Sequence, residues 1–151
     1  MRTAKPKLVL APKFAFNQRI TFSQKFSSAS DTERAAAEFV KQQSNGRFDI
    51  ATASTAYLKH VNWFGRGGHQ DIFFWYQRTS VEAPILLILE VLEDESWRFH
   101  PDQGIRMEGK VFEKIPKGKN PHVGLALTRA GKRFNYNWNG VKYVVAPSTI
   151  V

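Results

Sequence analysis

Phe134-Asn135-Tyr136-Asn137-Trp138-Asn139-Gly140-Val141-Lys142-Tyr143-Val144-Val145 is the stretch on which the fold turns. Ring and amide side chains alternate without a break from 134 to 138, the period of a strand with one apolar face. Asn139-Gly140 is the preferred dipeptide of a two-residue type I′ turn, because both central residues of that turn need positive φ. The stretch therefore reads as a hairpin. Trp138 should face Val141, Tyr136 should face Tyr143 and Phe134 should face Val145, with Asn135, Asn137, Lys142 and Val144 on the other side. Such a ribbon calls for further antiparallel strands to cover its apolar face.

Outward from it, Ile72 to Arg78 and Ile85 to Leu92 are the best strands of the middle, and the second, apolar on both faces, should be central. Trp97 to His100, the turn Pro101-Asp102-Gln103-Gly104 and Ile105 to Phe112 read as another hairpin, with Trp97 and Phe99 on one face and Arg98 and His100 on the other. Near the start, Lys7 to Ala11 is strand-like, and Phe14, Phe16, Ile20 and Phe22 recur at even spacing. One helix is well signalled. Ser30 with Glu33 makes a capping box, Asp31 puts a negative charge at the positive end of the helix dipole, and Asn45-Gly46 supplies the stop. The helix should span about 31–44 and lay a narrow stripe of Ala35, Ala36, Phe39 and Val40 on a sheet. Residues 47–64 lean to strand, Gly65 to Gly68 is a loop, Lys114 to Pro121 is a Pro/Gly/Lys loop, and 121–131 has room for a second short helix. The expected fold is α+β: one domain over 1–151, a mainly antiparallel, aromatic-rich sheet, one clear helix, and a C-terminal hairpin turning at Asn139-Gly140.

Composition bounds the function. With 42% hydrophobic residues in 151, the chain belongs to the globular class and should bury about 70% of its unfolded surface. The absence of Cys excludes disulfides, thiolate nucleophiles and Cys-ligated zinc. No apolar run approaches the ~20 residues of a membrane-spanning helix, and the longest, Ala83 to Leu89, contains Pro84. Residues 1–30 have the acid-free, Ser-rich composition of an organelle transit peptide, but their alternation is that of a strand. A soluble, cytoplasmic protein with no membrane partner is expected, with organelle targeting as the alternative.

Charge is distributed very unevenly. Residues 1–30 hold six Lys/Arg and no Asp/Glu, residues 31–113 hold nine against thirteen, and residues 114–151 hold seven against none, for a formal net charge of +9. Two basic ends around an acidic centre imply a polyanionic partner, with nucleic acid the first candidate. Arg66, Lys117, Lys119, Arg129, Lys132, Arg133 and Lys142 are the candidate phosphate contacts. Trp63, Phe64 and Trp75 would stack on bases if they stand exposed. Abundant rings without a basic recognition helix favour single-stranded or irregular RNA or DNA over duplex reading, and no catalytic residue is required. A solvated basic face, and a core role for the rings, are the competing structural explanations.

Two alternatives belong to other classes. Asp71 opens one strong strand and Glu90 lies in the next, after a capped helix, and this order resembles the core of restriction-type nucleases of the PD-(D/E)XK class. That likeness implies a metal-dependent nuclease in which Asp71 and Glu90 hold Mg²⁺ or Mn²⁺ and activate water. It departs from the class at Leu92, where a Lys belongs two positions after the Glu, and at Gln70, which stands in place of Pro, so the chain is not assigned to it. The other alternative is a protein that binds an acidic protein partner, or blocks a nucleic-acid channel, through the same positive face. The loop Trp63-Phe64-Gly65-Arg66-Gly67-Gly68-His69 lacks the Lys-Ser/Thr of a P-loop and reads as a plain hairpin connection. His60, His69, His100 and His122 show no metal-ligand spacing, and His100 beside Arg98 is the best acid–base pair among them.

Overall fold

The computed structural model describes residues 18–66, 68–117 and 120–146. Within them the strands are β1 (Gln18–Thr21), β2 (Gln24–Lys25), β3 (Thr55–Val61), β4 (Asp71–Gln77), β5 (Ile85–Val91), β6 (Trp97–Arg98), β7 (Ile105–Arg106), β8 (Val111–Lys117), β9 (Asn120–Arg129), β10 (Lys132–Trp138) and β11 (Tyr143–Val145). The single α-helix among them, α1, spans Asp31–Gln43. Two antiparallel sheets result, in the orders β1-β8-β9-β10-β11 and β2-β3-β4-β5-β6, with β7 also paired to β5. The expected strands over 7–11 and 14–16 lie outside the described residues.

The layering follows from β4 and β5. Asp71 to Tyr76 and Leu86 to Val91 are buried along their length, so their sheet needs cover on both faces. On one face Phe73, Trp75, Leu86 and Ile88 meet Phe112, Leu125, Leu127, Tyr136 and Tyr143 of the other sheet. On the opposite face Ile72, Phe74, Tyr76, Leu87 and Leu89 meet α1 and the segments beside it through Phe26, Ala36, Ala37, Val40 and Phe48. The result is a helix, a sheet and a second sheet, in that order.

Helix α1 begins as expected. The Ser30 hydroxyl accepts from the Glu33 N–H, and the Glu33 carboxylate accepts from the Ser30 N–H at 2.8 Å. Its end is also as expected, since Asn45 and Gly46 both adopt positive φ and the Gly46 N–H returns to the Lys41 carbonyl. The buried stripe is rotated from the expected one: Glu33, Ala36, Ala37 and Val40 are inside, Ala35 is exposed and Phe39 is half-buried against Trp97. Spacing of three, four and seven residues brings in Glu33, whose carboxylate meets His60 of β3 at 2.6 Å.

Four expectations about strands need correction, the first being the loop over Lys114 to Pro121, where β8 runs on to Lys117 and β9 already begins at Asn120. The C-terminal ribbon pairs Trp138 with Tyr143 and Tyr136 with Val145, two residues out from the expected register. Asn139 is the cause: its side-chain oxygen accepts from the Val141 and Lys142 N–H groups, and its N–H donates to the Lys142 carbonyl, closing a four-residue loop. A slip of two keeps every side chain on its expected face. Trp97–Arg98 and Ile105–Arg106 do not pair with each other. Each instead takes one half of the β5 edge, at Glu90–Val91 and at Ile85–Leu86, which would otherwise leave its backbone groups unpaired. The segment 121–131 holds no helix: up to Arg129 it belongs to strand β9, paired on both sides with Leu125 and Leu127 pointing inward at period two, and Ala130-Gly131 makes the turn into β10.

Candidate nucleic-acid interface

Of the seven cations that the sequence singles out, three are paired with acids within the fold. Arg66 makes an ion pair with Glu90. Arg133 lies 3.4 Å from the Glu113 carboxylate, which Arg19 approaches from the other side at 3.9 Å. Lys142 lies 3.9 Å from Asp102. Lys119 and the side chain of Lys117 lie outside the described residues. Arg129 and Lys132 remain. They face each other across the β9–β10 turn, and neither pairs with a carboxylate among the described residues.

The rings singled out for stacking are core. Trp63, Phe64 and Trp75 are 2%, 4% and 5% exposed, so the expectation that they meet bases is corrected. All three sit between the sheets. The Trp63 indole N–H donates to the Tyr143 hydroxyl at 2.6 Å, and the Trp75 indole N–H to the Gly109 carbonyl at 2.5 Å, which satisfies the one polar atom of each ring.

Among the half-buried rings, Tyr57 and Phe134 each carry a cation. Lys25 is the cross-strand partner of Tyr57. Lys110 places its ammonium 4.1 Å from the centre of the Tyr57 ring. A hydrogen bond from Lys110 lowers the Tyr57 hydroxyl pKa from its ordinary value, and the charge of Lys25 acts in the same direction. The Glu108 N–H donates to the Thr128 carbonyl, which brings the 108–110 turn against the end of β9. There the Arg129 guanidinium covers Phe134 at 4.1 Å, with Lys132 opposite. Lys25, Lys110, Arg129 and Lys132 thus run across both sheets at one end of the sandwich. Glu108 is the acidic neighbour of this belt. Beside it a groove of about 540 Å³ is walled by Lys25, Arg34, Ser27, Ser54, Thr55 and Tyr57 over an apolar floor of Phe26 and Ile50, and no acid lines it.

Sequence reasoning found Arg129 and Lys132 but missed Lys25, Arg34, Lys110, Tyr57 and Phe134 as a set. Their separations along the chain are large, and only the pairing of β2 with β3 and of β8 with β9 brings them together. Phe134 was legible as the outermost ring of its strand, where an inward face reaches the rim of the sandwich.

Asp71 and Glu90 stand side by side, one step beyond the Ile72/Leu89 pair of β4 and β5. Asp71, 1% exposed, accepts from the backbone N–H groups of Trp63 and Phe64 at 3.0 Å each and of Val91 at 2.9 Å. Burial pushes its carboxyl up, the three N–H groups pull it down and the Glu90 charge adds to the rise, with a raised pKa as the outcome. Glu90 accepts three hydrogen bonds from Arg98, at 2.9–3.0 Å, beside its pair with Arg66. Every oxygen of the two carboxylates already accepts at least one hydrogen bond. The arrangement ties the β3–β4 loop to β5 and neutralises a buried charge.

No protein-family model, no curated protein sequence and no solved structure matches the chain. Its function is therefore argued from geometry and charge.

Proposed function

We propose that this protein binds single-stranded or irregular nucleic acid, without catalysis, along the belt of Lys25, Lys110, Arg129 and Lys132 and the adjoining groove. The observation that carries this is the juxtaposition of cations lacking carboxylate partners among the described residues with two half-exposed rings, beside an acid-free groove. Cations hold phosphates, ring faces accept bases, and the groove hydroxyls suit sugar and phosphate oxygens. The separation of roles supports the same reading. Arg66, Arg98 and Arg133 answer the chain's own buried or half-buried acids, which leaves the lysine-rich rim without carboxylate partners among the described residues. The metal-nuclease alternative gains no such support from Asp71 and Glu90, whose oxygens are already engaged.

The test is a salt titration of binding to oligo(dT) and oligo(U). Each phosphate contact adds about 0.7 to the slope of log affinity against log salt for a single strand. Replacing Lys25, Lys110 and Lys132 by Gln together should lower the slope by about 2, while Arg133→Gln should leave it nearly unchanged. No affinity at low salt, or a slope that the triple substitution does not alter, defeats the proposal.

A further inference from the structure

The groove beside the cationic belt has two cations of different kinds on its walls. Lys25, shared with the belt, is one, and Arg34 of α1 is the other. The Arg34 guanidinium stands over the Phe26 ring of the groove floor, 5.7 Å from its centre. It is exposed yet fixed. Its Nε–H donates to the Ala29 carbonyl and an Nη2–H to the Ser27 carbonyl, both at 3.2 Å. Both acceptors are neutral and no carboxylate pairs with Arg34 among the described residues, so the whole positive charge is kept. Of the five N–H donors of a guanidinium, those not used here belong to the two terminal nitrogens. That is the edge with which arginine takes a phosphate bidentately. Ser27, Ser54 and Thr55 add hydroxyls to the same walls.

Past Arg34 the sign of the surface changes. Phe26, Arg34 and Ala51 also line a second hollow of about 190 Å³, whose other walls include Glu38, Lys41 and Asp49. Lys41 lies 3.6 Å from Asp49 and answers it. Glu38 accepts a neutral amide N–H from Gln42 at 3.3 Å and has no cationic partner among the described residues. A polyanion entering from the belt thus meets Lys25, then Arg34, and next a carboxylate. Phosphodiesters that ran on past Arg34 would be brought against Glu38, whereas a strand that stops at Arg34 escapes this repulsion. The groove, about 540 Å³, also lies within the roughly 300–1,000 Å³ of small-molecule sites, the scale of a single nucleotide and not of a run.

Resting on the nucleic-acid reading above, we propose that the groove receives the end of a single strand, and that Arg34 with Lys25 holds a terminal phosphate monoester on it. A monoester carries a charge of about −1.5 to −2 at neutral pH on three free oxygens. An internal phosphodiester offers a single charge on a pair of them, so a fixed fork beside a second cation favours the terminal group. Both the 5′ and the 3′ end supply this chemistry, and the experiment separates them.

The experiment measures, by fluorescence anisotropy at fixed salt, binding of the full chain to four forms of internally labelled oligo(dT): hydroxyls at both ends, a 5′-phosphate, a 3′-phosphate, and a closed circle. At least one of the phosphorylated strands should bind about tenfold or more tightly than the hydroxyl-ended strand and the circle, and the preferred end gives the polarity. Arg34→Gln should erase that preference. A preference below about tenfold in the wild type overturns the proposal and leaves the nucleic-acid reading intact, whereas absence of binding to every form at low salt defeats both. A preference that persists in a folded Arg34→Gln also overturns the proposal, because the end is then held elsewhere. Should Arg34→Gln fail to fold, the four forms compared on the wild-type chain still decide.

Discussion

Asp71 offers the sharpest test of how this fold is held. Its carboxylate accepts from three buried backbone donors at 2.9–3.0 Å, two on the β3–β4 loop and one on β5, of which the Trp63 N–H also reaches the Val61 carbonyl at 2.8 Å. Asp71→Ala removes the acceptor and leaves the donors. An unmade buried bond costs about 1–3 kcal/mol, and the two donors left without an acceptor, the Phe64 and Val91 N–H groups, would cost about 2–6 kcal/mol if no water reached them. Gly65, next to Phe64, is exposed, so water should relieve part of this, and a loss of about 2–4 kcal/mol is expected. Asp71→Asn keeps one oxygen. Placed where it meets Trp63 and Phe64, it leaves only Val91 facing an amide N–H, and the loss should be about 1–3 kcal/mol. The pH dependence adds a sign. The folded-state pKa of Asp71 is raised, so the folded protein binds that proton more readily than the unfolded chain. Wild type should therefore gain stability relative to Asp71→Asn as pH falls from above the folded value toward the ordinary aspartate range. Urea unfolding at several pH values, followed by tryptophan fluorescence, measures all three quantities. If Asp71→Ala unfolds within about 1 kcal/mol of wild type at neutral pH, the brace does not operate and the account of this carboxylate is wrong.

Other outcomes follow from the same geometry. Ser30→Ala should cost about 1 kcal/mol by opening the capping box, and circular dichroism during denaturation would register it. Burial raises the Glu33 pKa, but hydrogen bonds from Ser30 and His60 together with the His60 charge outweigh it, so the folded value is lowered. The contribution of Glu33 is then fully present above the ordinary glutamate pKa and is lost as pH falls through the folded value. Melting curves of Glu33→Gln against wild type should converge on acidification. Gly104→Ala should destabilise by about 1–3 kcal/mol, because its Cβ would stand 2.7 Å from the Phe48 ring, which Tyr76 and Phe99 hold edge to face. A substitution there without loss of melting temperature would show that the ring can move. Glu90→Gln leaves Arg66 and Arg98 facing a neutral amide, and with Arg98 half-exposed the cost in a urea titration should be about 2–4 kcal/mol.

Sequence alone determined the elements whose causes are local. The capping box, the Asn45-Gly46 stop, the two-faced apolar strand at Ile85 to Leu92 and the inward face of Phe134, Tyr136 and Trp138 were all legible, because each rests on side chains within a few residues of one another. Tertiary structure decided whatever depends on which strands lie side by side. It placed 121–129 in a sheet, since a segment between two partners gains a ladder on each side that no local preference for helix can match. It also set Trp97 and Ile105 on β5 instead of on each other, because an open edge of a central strand leaves backbone groups unpaired. The candidate sites divide in the same way. Net charge and its polarity belong to the composition. Which cations stay available was settled when buried Glu90 and half-buried Glu113 drew in Arg66, Arg98, Arg19 and Arg133, since a carboxylate removed from water must be neutralised by whatever charge the fold brings within reach.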